Sequence, residues 1–100
     1  MSFVNAQPAE MVAAAGGLQG IGSAMMASSA AAAEPTTGVV PPAADPTSFL
    51  LAAAFGVHGG LFQGVSAVGD AVHEGIVTTL GASSASYAAT EAINNIAAAI

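Results

Sequence analysis

The sequence predicts an all-α fold: an antiparallel two-helix hairpin that completes a four-helix-type bundle with a partner chain. Four of the five prolines fall in one central segment. On both sides of it, apolar residues recur at helical spacings of three and four. The helices also carry more apolar surface than one hairpin interface can cover. We expect a single domain over residues 1–100, with helix one at about 8–33, a linker at about 34–45, helix two at about 46–90 and a tail at 91–100.

Helix one is predicted to begin at Pro8, since proline suits the first helical turn, where its missing N–H costs nothing. Glu10 falls in the same turn, beside the positive end of the helix dipole. The glycines of "GGLQGIG" thin the helix and let another backbone come close. An apolar stripe runs along one side: Met11, Ala14, Leu18, Ile21 and Met25.

The linker is predicted from the segment "EPTTGVVPPAADP", which holds Pro35, Pro41, Pro42 and Pro46. Proline lacks the amide hydrogen that a helix interior needs, and it biases the preceding residue toward extended conformations. The segment therefore separates the two helices.

Helix two has a strong start signal in "DPTS", with Asp45 as the N-cap and Pro46 as the first helical residue. A wide apolar arc follows, wider than a coiled-coil seam. The polar residues Gln63, Asp70, Glu74 and Thr78 lie opposite it. The arc contains Leu50, Leu51, Phe55, Val57, Leu61, Phe62, Val65, Val68, Val72, Ile76 and Leu80.

One face of helix two can pack on helix one and still leave apolar surface uncovered. A lone hairpin of this length is therefore expected to be marginal, and a partner is expected to cover the remainder. The predicted partner interface consists of Met11, Leu18, Ile21, Met25, Leu51, Phe55, Phe62, Val65, Val72 and Ile76.

Composition excludes several classes of partner. The chain has no lysine or arginine, six acids and a formal net charge of −6. It cannot neutralise phosphates, so nucleic acid and anionic membrane surfaces are poor partners. Two uncharged stretches, 11–33 and 46–69, are long enough to span a bilayer. Their Ala, Gly and Ser content and the absence of flanking cations make a membrane span an unfavoured interpretation. The start "MSFVNAQPAE" has no positive residue ahead of an apolar run, so no ordinary secretory signal peptide is expected.

The candidate catalytic and metal-binding groups are weak. Ser66, Asp70 and His73 share one side of helix two, but one straight helix provides neither an oxyanion site nor a pocket that excludes water. We expect a polar face in contact with water, and no enzyme. Asp70, His73 and Glu74 offer only part of a metal site, so no metal or cofactor is expected. His58 lies within the apolar arc, where a packed, hydrogen-bonded histidine is expected.

Tyr87 and Glu91, in "YAATE", lie four residues apart on neighbouring parts of one helix face. From composition alone, an incidental pair at a fraying helix end is the favoured interpretation.

The chain resembles the PE family of mycobacteria, named for a proline–glutamate pair near the N-terminus. The resemblance is carried by "MSFV", Pro8, "GLQGIGSAM", "AAAAEPTTGVVPPAADP" and "FGVHGGLFQGVSAVGDAVHEGIVTTLGASSASYAATEA", in that order. It covers nearly the whole chain and indicates a short member made of this domain alone. One departure is that Ala9 separates Pro8 from Glu10, which rotates the acid by about 100°.

The resemblance implies a function that the residues do not show by themselves. PE proteins pair one-to-one with a PPE-family protein, and their helices join the partner's helices in an elongated bundle. The family is exported by type VII secretion, which reads a helical tyrosine, three residues, then an acid. Tyr87 and Glu91 match that pattern and are the expected secretion signal. A chaperone of the same system grips the PPE partner, and the expected destination is outside the cell, the cell wall or the cell surface.

Two other classes of function stay open at this point. One is a homodimeric helical bundle with no export role. The other is a membrane-active or pore-forming helical protein.

Overall fold

The computed structural model describes residues 4–100, and these form two α-helices and no strand. Helix α1 is Pro8–Thr37 and helix α2 is Pro46–Ala99. The predicted all-α class is confirmed. The chain divides into two compact units: unit 1 contains residues 4–21 and His73–Ile100, and unit 2 contains Gly22–Val72.

In each unit a part of α1 lies antiparallel to a part of α2. In unit 1, the Ser84 hydroxyl bonds to the Pro8 carbonyl oxygen, and the His73 ring bonds to the Leu18 carbonyl oxygen. His73 precedes Ser84 whereas Leu18 follows Pro8, so the two helices run in opposite directions. In unit 2, Gln63 donates to the Ser29 carbonyl oxygen at 2.9 Å. The antiparallel arrangement predicted from the proline-rich linker is thus present in both units, and the larger bundle with a partner stays a prediction.

Helix α1 continues through Pro35 and ends at Thr37, four residues beyond the predicted boundary. Proline removes one N–H donor from the ladder, but two threonine hydroxyls serve the carbonyls of the last turn. Thr36 Oγ1 donates to Ala32 O at 2.6 Å and Thr37 Oγ1 to Ala33 O at 2.7 Å. These bonds, which the proline count does not reveal, hold the last turn of α1 together.

Helix α2 extends through the segment predicted to be a tail and ends at Ala99. Residues 92–100 are all exposed, so tertiary packing does not explain the extension. The segment contains four alanines among its nine residues, and alanine has the highest intrinsic helix propensity. The last turns of α2 are therefore helical through local preference.

Helix α2 begins at an aspartate cap. Asp45 Oδ1 accepts a 2.9 Å hydrogen bond from the Ser48 N–H, and Asp45 Oδ2 accepts one of 2.7 Å from the Ser48 hydroxyl. The first helical bond runs from Phe49 N–H to Asp45 O at 3.1 Å. Asp45 therefore occupies the N-cap position and Pro46 the first helical position.

Acid should weaken this cap. The bond from the Ser48 N–H, followed by that from its hydroxyl, lowers the pKa of Asp45 below its usual 3.8. Because the folded-state pKa is depressed, the stabilisation is complete above about 3.8 and is lost as the pH falls through the lower folded-state value. Asp45→Ala should lower the melting temperature near neutral pH, whereas Asp45→Asn should keep a cap and lose this pH dependence. Thermal unfolding followed by circular dichroism checks both; equal acid profiles for the wild type and Asp45→Asn would contradict the assignment.

The α2 residues that face α1 are small or polar except for Val77 and Leu80, and they recur at alternating steps of three and four. We call them the contact row. In unit 2 they are Ala52, Gly56, Gly59, Gln63, Ser66 and Asp70; in unit 1 they are His73, Val77, Leu80 and Ser84. All of them are buried or half-buried. The prediction that Ser66, Asp70 and His73 form a polar face in contact with water is therefore wrong, since all three are half-buried in the contact row, whereas Glu74 and Thr78 are exposed. Of the predicted apolar arc, Leu80 is half-buried in the contact row and the other members are exposed.

At Gly59 the two helices of unit 2 approach closely. A Cβ atom at this position would lie 2.8 Å from the Thr36 carbonyl carbon and would also collide with the Thr36 carbonyl oxygen. At Gly56 a Cβ would lie 3.0 Å from Thr37 O, whereas Gly60 and Gly64 have open space around them. The close approach therefore uses Gly56 and Gly59, at a spacing of three residues.

Gly59→Ala should destabilise the hairpin, since the obstructing atoms belong to backbone and cannot rotate away. We expect a loss of about 1–3 kcal/mol in the free energy of unfolding, as for other overpacked interiors. The control is Gly60→Ala, where the added methyl meets nothing within 4 Å and helix propensity alone should stabilise α2 by up to about 1 kcal/mol. Urea unfolding of both variants, each in the complex with a partner chain, measures the difference. Equal midpoints would show that the approach at Thr36 is not tight.

Candidate functional site

An exposed apolar surface lies along one side of the contact row in unit 2. We call it the apolar flank, and its side chains are between 49% and 73% exposed. It consists of Leu51, Phe55, Phe62, Val65 and Val72. All five were predicted as partner-interface residues, and about half or more of each side chain is left exposed after α1 and α2 have packed together.

The opposite side of α2 in the same unit is different in character. From Gly59, three steps of about 100° place Phe62 about 60° to one side, whereas eight steps place Ala67 about 80° to the other. On this other side lie Ala53, Gly60, Ala67 and Ala71, which we call the alanine flank and which are all exposed. Phe49, ten residues before Gly59, also falls on this side near the start of α2 and is 56% exposed. From residue 51 onward in this unit, the side chains beside the contact row are therefore large on the apolar flank and small on the alanine flank.

Phe55 and Phe62 also border an open groove of about 470 Å³ beside the end of α1. Its other lining residues are Ala32, Pro35, Thr36, Val39, His58 and Gly59. The continuation of α1 through Pro35 builds one wall of this groove. His58 is exposed at its edge, so the expected packed histidine is not found there.

The remaining predicted interface residues differ in their availability. Met25, in unit 2, is half-exposed, as are Ile21 and Ile76 in unit 1. Met11 and Leu18, also in unit 1, are half-buried. The latter two therefore offer a partner less surface than their place in the predicted stripe suggests.

Tyr87 and Glu91 occupy different environments within unit 1. Tyr87 is 51% exposed. Glu91 is half-buried, and its Oε1 accepts a 3.0 Å hydrogen bond from the Ala6 N–H. Because the chain contains no lysine or arginine, a backbone amide takes the place that a cationic side chain often fills. Glu91 is therefore tied to the segment before α1, while Tyr87 is left half-exposed.

A second bond joins α2 to the start of α1. The Ser84 hydroxyl donates to Pro8 O at 2.8 Å, and Ser84 is only 2% exposed. The sequence analysis did not identify Ser84. Ser84 could have been found from the spacing of three and four residues at which small and polar residues recur on α2. A search for periodic apolar residues alone does not detect that pattern.

The residues of the N-terminal family motif lie in the first turn of α1. The Gln7 carbonyl oxygen accepts bonds from Glu10 N–H at 3.1 Å and Met11 N–H at 3.2 Å, so Gln7 is the residue that caps the helix. Pro8 is then the first helical position and Glu10 the third. Glu10 is exposed, and at the third position its carboxylate lies beside the positive end of the helix dipole despite the inserted Ala9.

The three residues that first suggested catalysis lie in the contact row. Ser66, Asp70 and His73 are half-buried in the contact row. His73 Nε2 lies 2.6 Å from Leu18 O, which makes it the donor of a hydrogen bond to that carbonyl. Within residues 4–100 there is no group of three or more His, Asp or Glu side chains that could hold a metal ion.

Comparison with known proteins identifies the family. The model of the PE family matches residues 4–94. The chain is 56% identical over 98 residues to PE family protein PE13 of Mycobacterium tuberculosis, covering 98% of this chain and 99% of PE13. It is 48% identical to PE8 of the same organism, covering 99% of this chain and 36% of PE8. It is also 48% identical to the PE-PGRS family protein PE_PGRS8, covering 92% of this chain and 53% of that protein.

The chain thus spans nearly all of PE13, about a third of PE8 and about half of PE_PGRS8. Both the family model and the similarity to PE13 extend over almost its whole length. The chain belongs to the PE family.

Proposed function

We propose that this protein is the non-enzymatic PE half of a PE–PPE heterodimer, which is exported by type VII secretion and acts at the cell envelope, at the cell surface or outside the cell. The observation that carries the pairing is the apolar flank. Its five large side chains remain about half or more exposed after α1 and α2 have packed together.

The physical case for a partner comes from how the chain uses its two kinds of surface. In unit 2 the contact row joins the two helices through small and polar residues, which leaves the large apolar residues of the apolar flank for another molecule. Covering the exposed half of each such side chain contributes about 1 kcal/mol. A helical partner with an apolar face fits this surface, since helices pack at 8–10 Å through their side chains. Membership of the PE family supports a PPE protein as that partner.

The case for export comes from Tyr87 and Glu91 in unit 1. Tyr87 and Glu91 have the spacing that the family's secretion signal requires, and they lie on α2 beyond the apolar flank. Tyr87 is exposed enough to be read by the secretion machinery. The machinery's chaperone binds the complex through the PPE chain in this proposal.

A membrane-active protein is the second candidate, and one observation favours it. Among the described residues α2 is the one helix long and apolar enough to cross a membrane, with a mean hydropathy of 1.4 in its most apolar window, of which 17% is buried. The same exposed surface would serve insertion into lipid or pairing with a helical protein.

The test of pairing is circular dichroism with light-scattering mass, on the chain alone and co-expressed with a PPE protein encoded beside it. A helical one-to-one complex on co-expression, with aggregation or disorder of the chain alone, supports the proposal. A soluble, cooperatively unfolding monomer or homodimer would contradict it, because the apolar flank would then need no partner. Spontaneous insertion of the chain into neutral lipid vesicles would favour the membrane candidate instead.

A further inference from the structure

We propose that Glu91 acts as a positioning residue that holds residues 4–7 beside Tyr87, so that the export signal is a composite of two chain segments. This inference rests on the proposed export function and deepens it. The machinery then reads Tyr87 together with the segment before α1, while Glu91 acts through the backbone that it binds.

The first support is the pair of bonds that fixes the segment on α2. Glu91 Oε1 accepts from Ala6 N–H at 3.0 Å, and Ser84 Oγ donates to Pro8 O at 2.8 Å. Glu91 lies seven positions after Ser84 in the helix, so the two anchors lie on the same face of α2 and about 10 Å apart. The chain between Ala6 and Pro8 is thus held at both ends.

The second support is the position of Tyr87. It lies between the two anchors along α2, three residues after Ser84 and four before Glu91. Tyr87 lines one open groove together with the segment before α1 and the next turn of α2. The other lining residues are Val4, Asn5, Ala6, Gln7, Met11, Thr90, Glu91 and Asn94. A molecule that contacts the exposed tyrosine ring therefore meets residues 4–7 as well.

The chemistry of the anchor explains why an acid serves at this position. A carboxylate accepts hydrogen bonds and donates none, which suits a backbone N–H. Ala6 lies two residues before the first residue of α1, so the negative charge also lies near the positive end of that helix. Glutamine keeps the acceptor oxygen and lacks the charge, whereas alanine removes both.

The decisive variant changes residue 6 and keeps both Tyr87 and Glu91 at their spacing of four. Ala6→Pro removes the N–H that Glu91 binds and keeps Tyr87 and Glu91 in place. We expect export of the complex to fall about tenfold, the scale set by loss of one hydrogen bond to a charged group. Ala6→Ser keeps the N–H and should be exported like the wild type. Export of Ala6→Pro at the wild-type level would overturn the composite signal.

A second measurement does not depend on export. In the purified complex, Glu91→Ala should speed hydrogen exchange at the Ala6 amide about tenfold, Glu91→Gln should restore most of the protection and most of the export, and Tyr87→Ala should leave the protection unchanged. Unchanged Ala6 exchange in Glu91→Ala would contradict the positioning role, even if Ala6→Pro failed to assemble.

Export of Tyr87→Ala and of Ala6→Pro distinguishes a failure of the proposed export function from a failure of the composite signal. Normal export of Tyr87→Ala would remove the proposed export function, and this inference with it. Blocked export of Tyr87→Ala combined with normal export of Ala6→Pro would leave the tyrosine signal in place and refute only the contribution of residues 4–7.

Discussion

Tyr87→Ala should reduce export of the chain to background while leaving the PE–PPE complex intact. Tyr87 is half-exposed in unit 1 and does not belong to the contact row, so its removal should cost the hairpin little. It also lies outside the apolar flank, so pairing should not depend on it. Loss of the ring is therefore expected to affect recognition alone. Glu91→Ala should lower export about tenfold, as expected for Ala6→Pro, through loss of the bond to Ala6.

The measurement compares an epitope-tagged chain in culture filtrate and in cell lysate, with co-purification of the partner from the lysate. Tyr87→Phe separates the ring from the hydroxyl, and export of this variant would show that the ring is what is read. Thr90→Ala is the positional control, because Thr90 lines the same groove while its hydroxyl bonds within its own helix, to Ser86 O at 3.1 Å. Normal filtrate levels of both Tyr87→Ala and Glu91→Ala would refute the secretion-signal assignment.

The course of the helices follows largely from local sequence. Pro8, Asp45 and Pro46 mark helix starts because their preferences act over one turn, and the structure places all three at or beside a helix terminus. The end of α1 is less predictable. It continues past Pro35, where the Thr36 and Thr37 hydroxyls bond to the Ala32 and Ala33 carbonyl oxygens and Thr36 lies close to Gly59, which is distant in sequence.

The pairing face of the hairpin was predicted wrongly for a physical reason. Apolar periodicity identifies a surface that needs covering, but it does not say which molecule covers it. Two thin helices can approach through glycine and alanine, and Gln63 and His73 then satisfy their polar groups on the Ser29 and Leu18 carbonyl oxygens. Apart from Leu80, the apolar arc is left exposed. Of the polar residues opposite the arc, Gln63 and Asp70 therefore belong to the intramolecular contact, whereas Glu74 and Thr78 face the solvent.

The Glu91 anchor lies beyond sequence reasoning for a different reason. Its partner is a main-chain N–H 85 residues away, and any non-proline residue at position 6 supplies the same donor. No side-chain pattern marks such a contact. The spacing of Tyr87 and Glu91 was visible in the sequence, whereas the separate roles that we propose for the exposed ring and the half-buried carboxylate depend on the three-dimensional environment of each.

Phe62→Asp should prevent pairing with the PPE partner. Phe62 belongs to the apolar flank and is half-exposed in the chain itself, so an aspartate there meets water in the unpaired hairpin and costs its fold little. In a complex that covers this flank, the same carboxylate would be buried opposite apolar side chains with no cation in this chain to pair with. An uncompensated buried charge costs about 3 kcal/mol or more, which weakens association by more than about a hundredfold.

The matched control places the same charge on the opposite side of the same helix. Ala67 lies five residues after Phe62 on the alanine flank and is also exposed, so Ala67→Asp adds the same formal charge to the same helix. Co-purification with the partner, followed by light-scattering mass, should give a one-to-one complex for Ala67→Asp and none for Phe62→Asp. If Ala67→Asp also blocks pairing, both flanks are covered and the partner encloses α2. If neither does, the apolar flank is not the interface, and the physical argument for a heterodimer fails even though the family assignment stands.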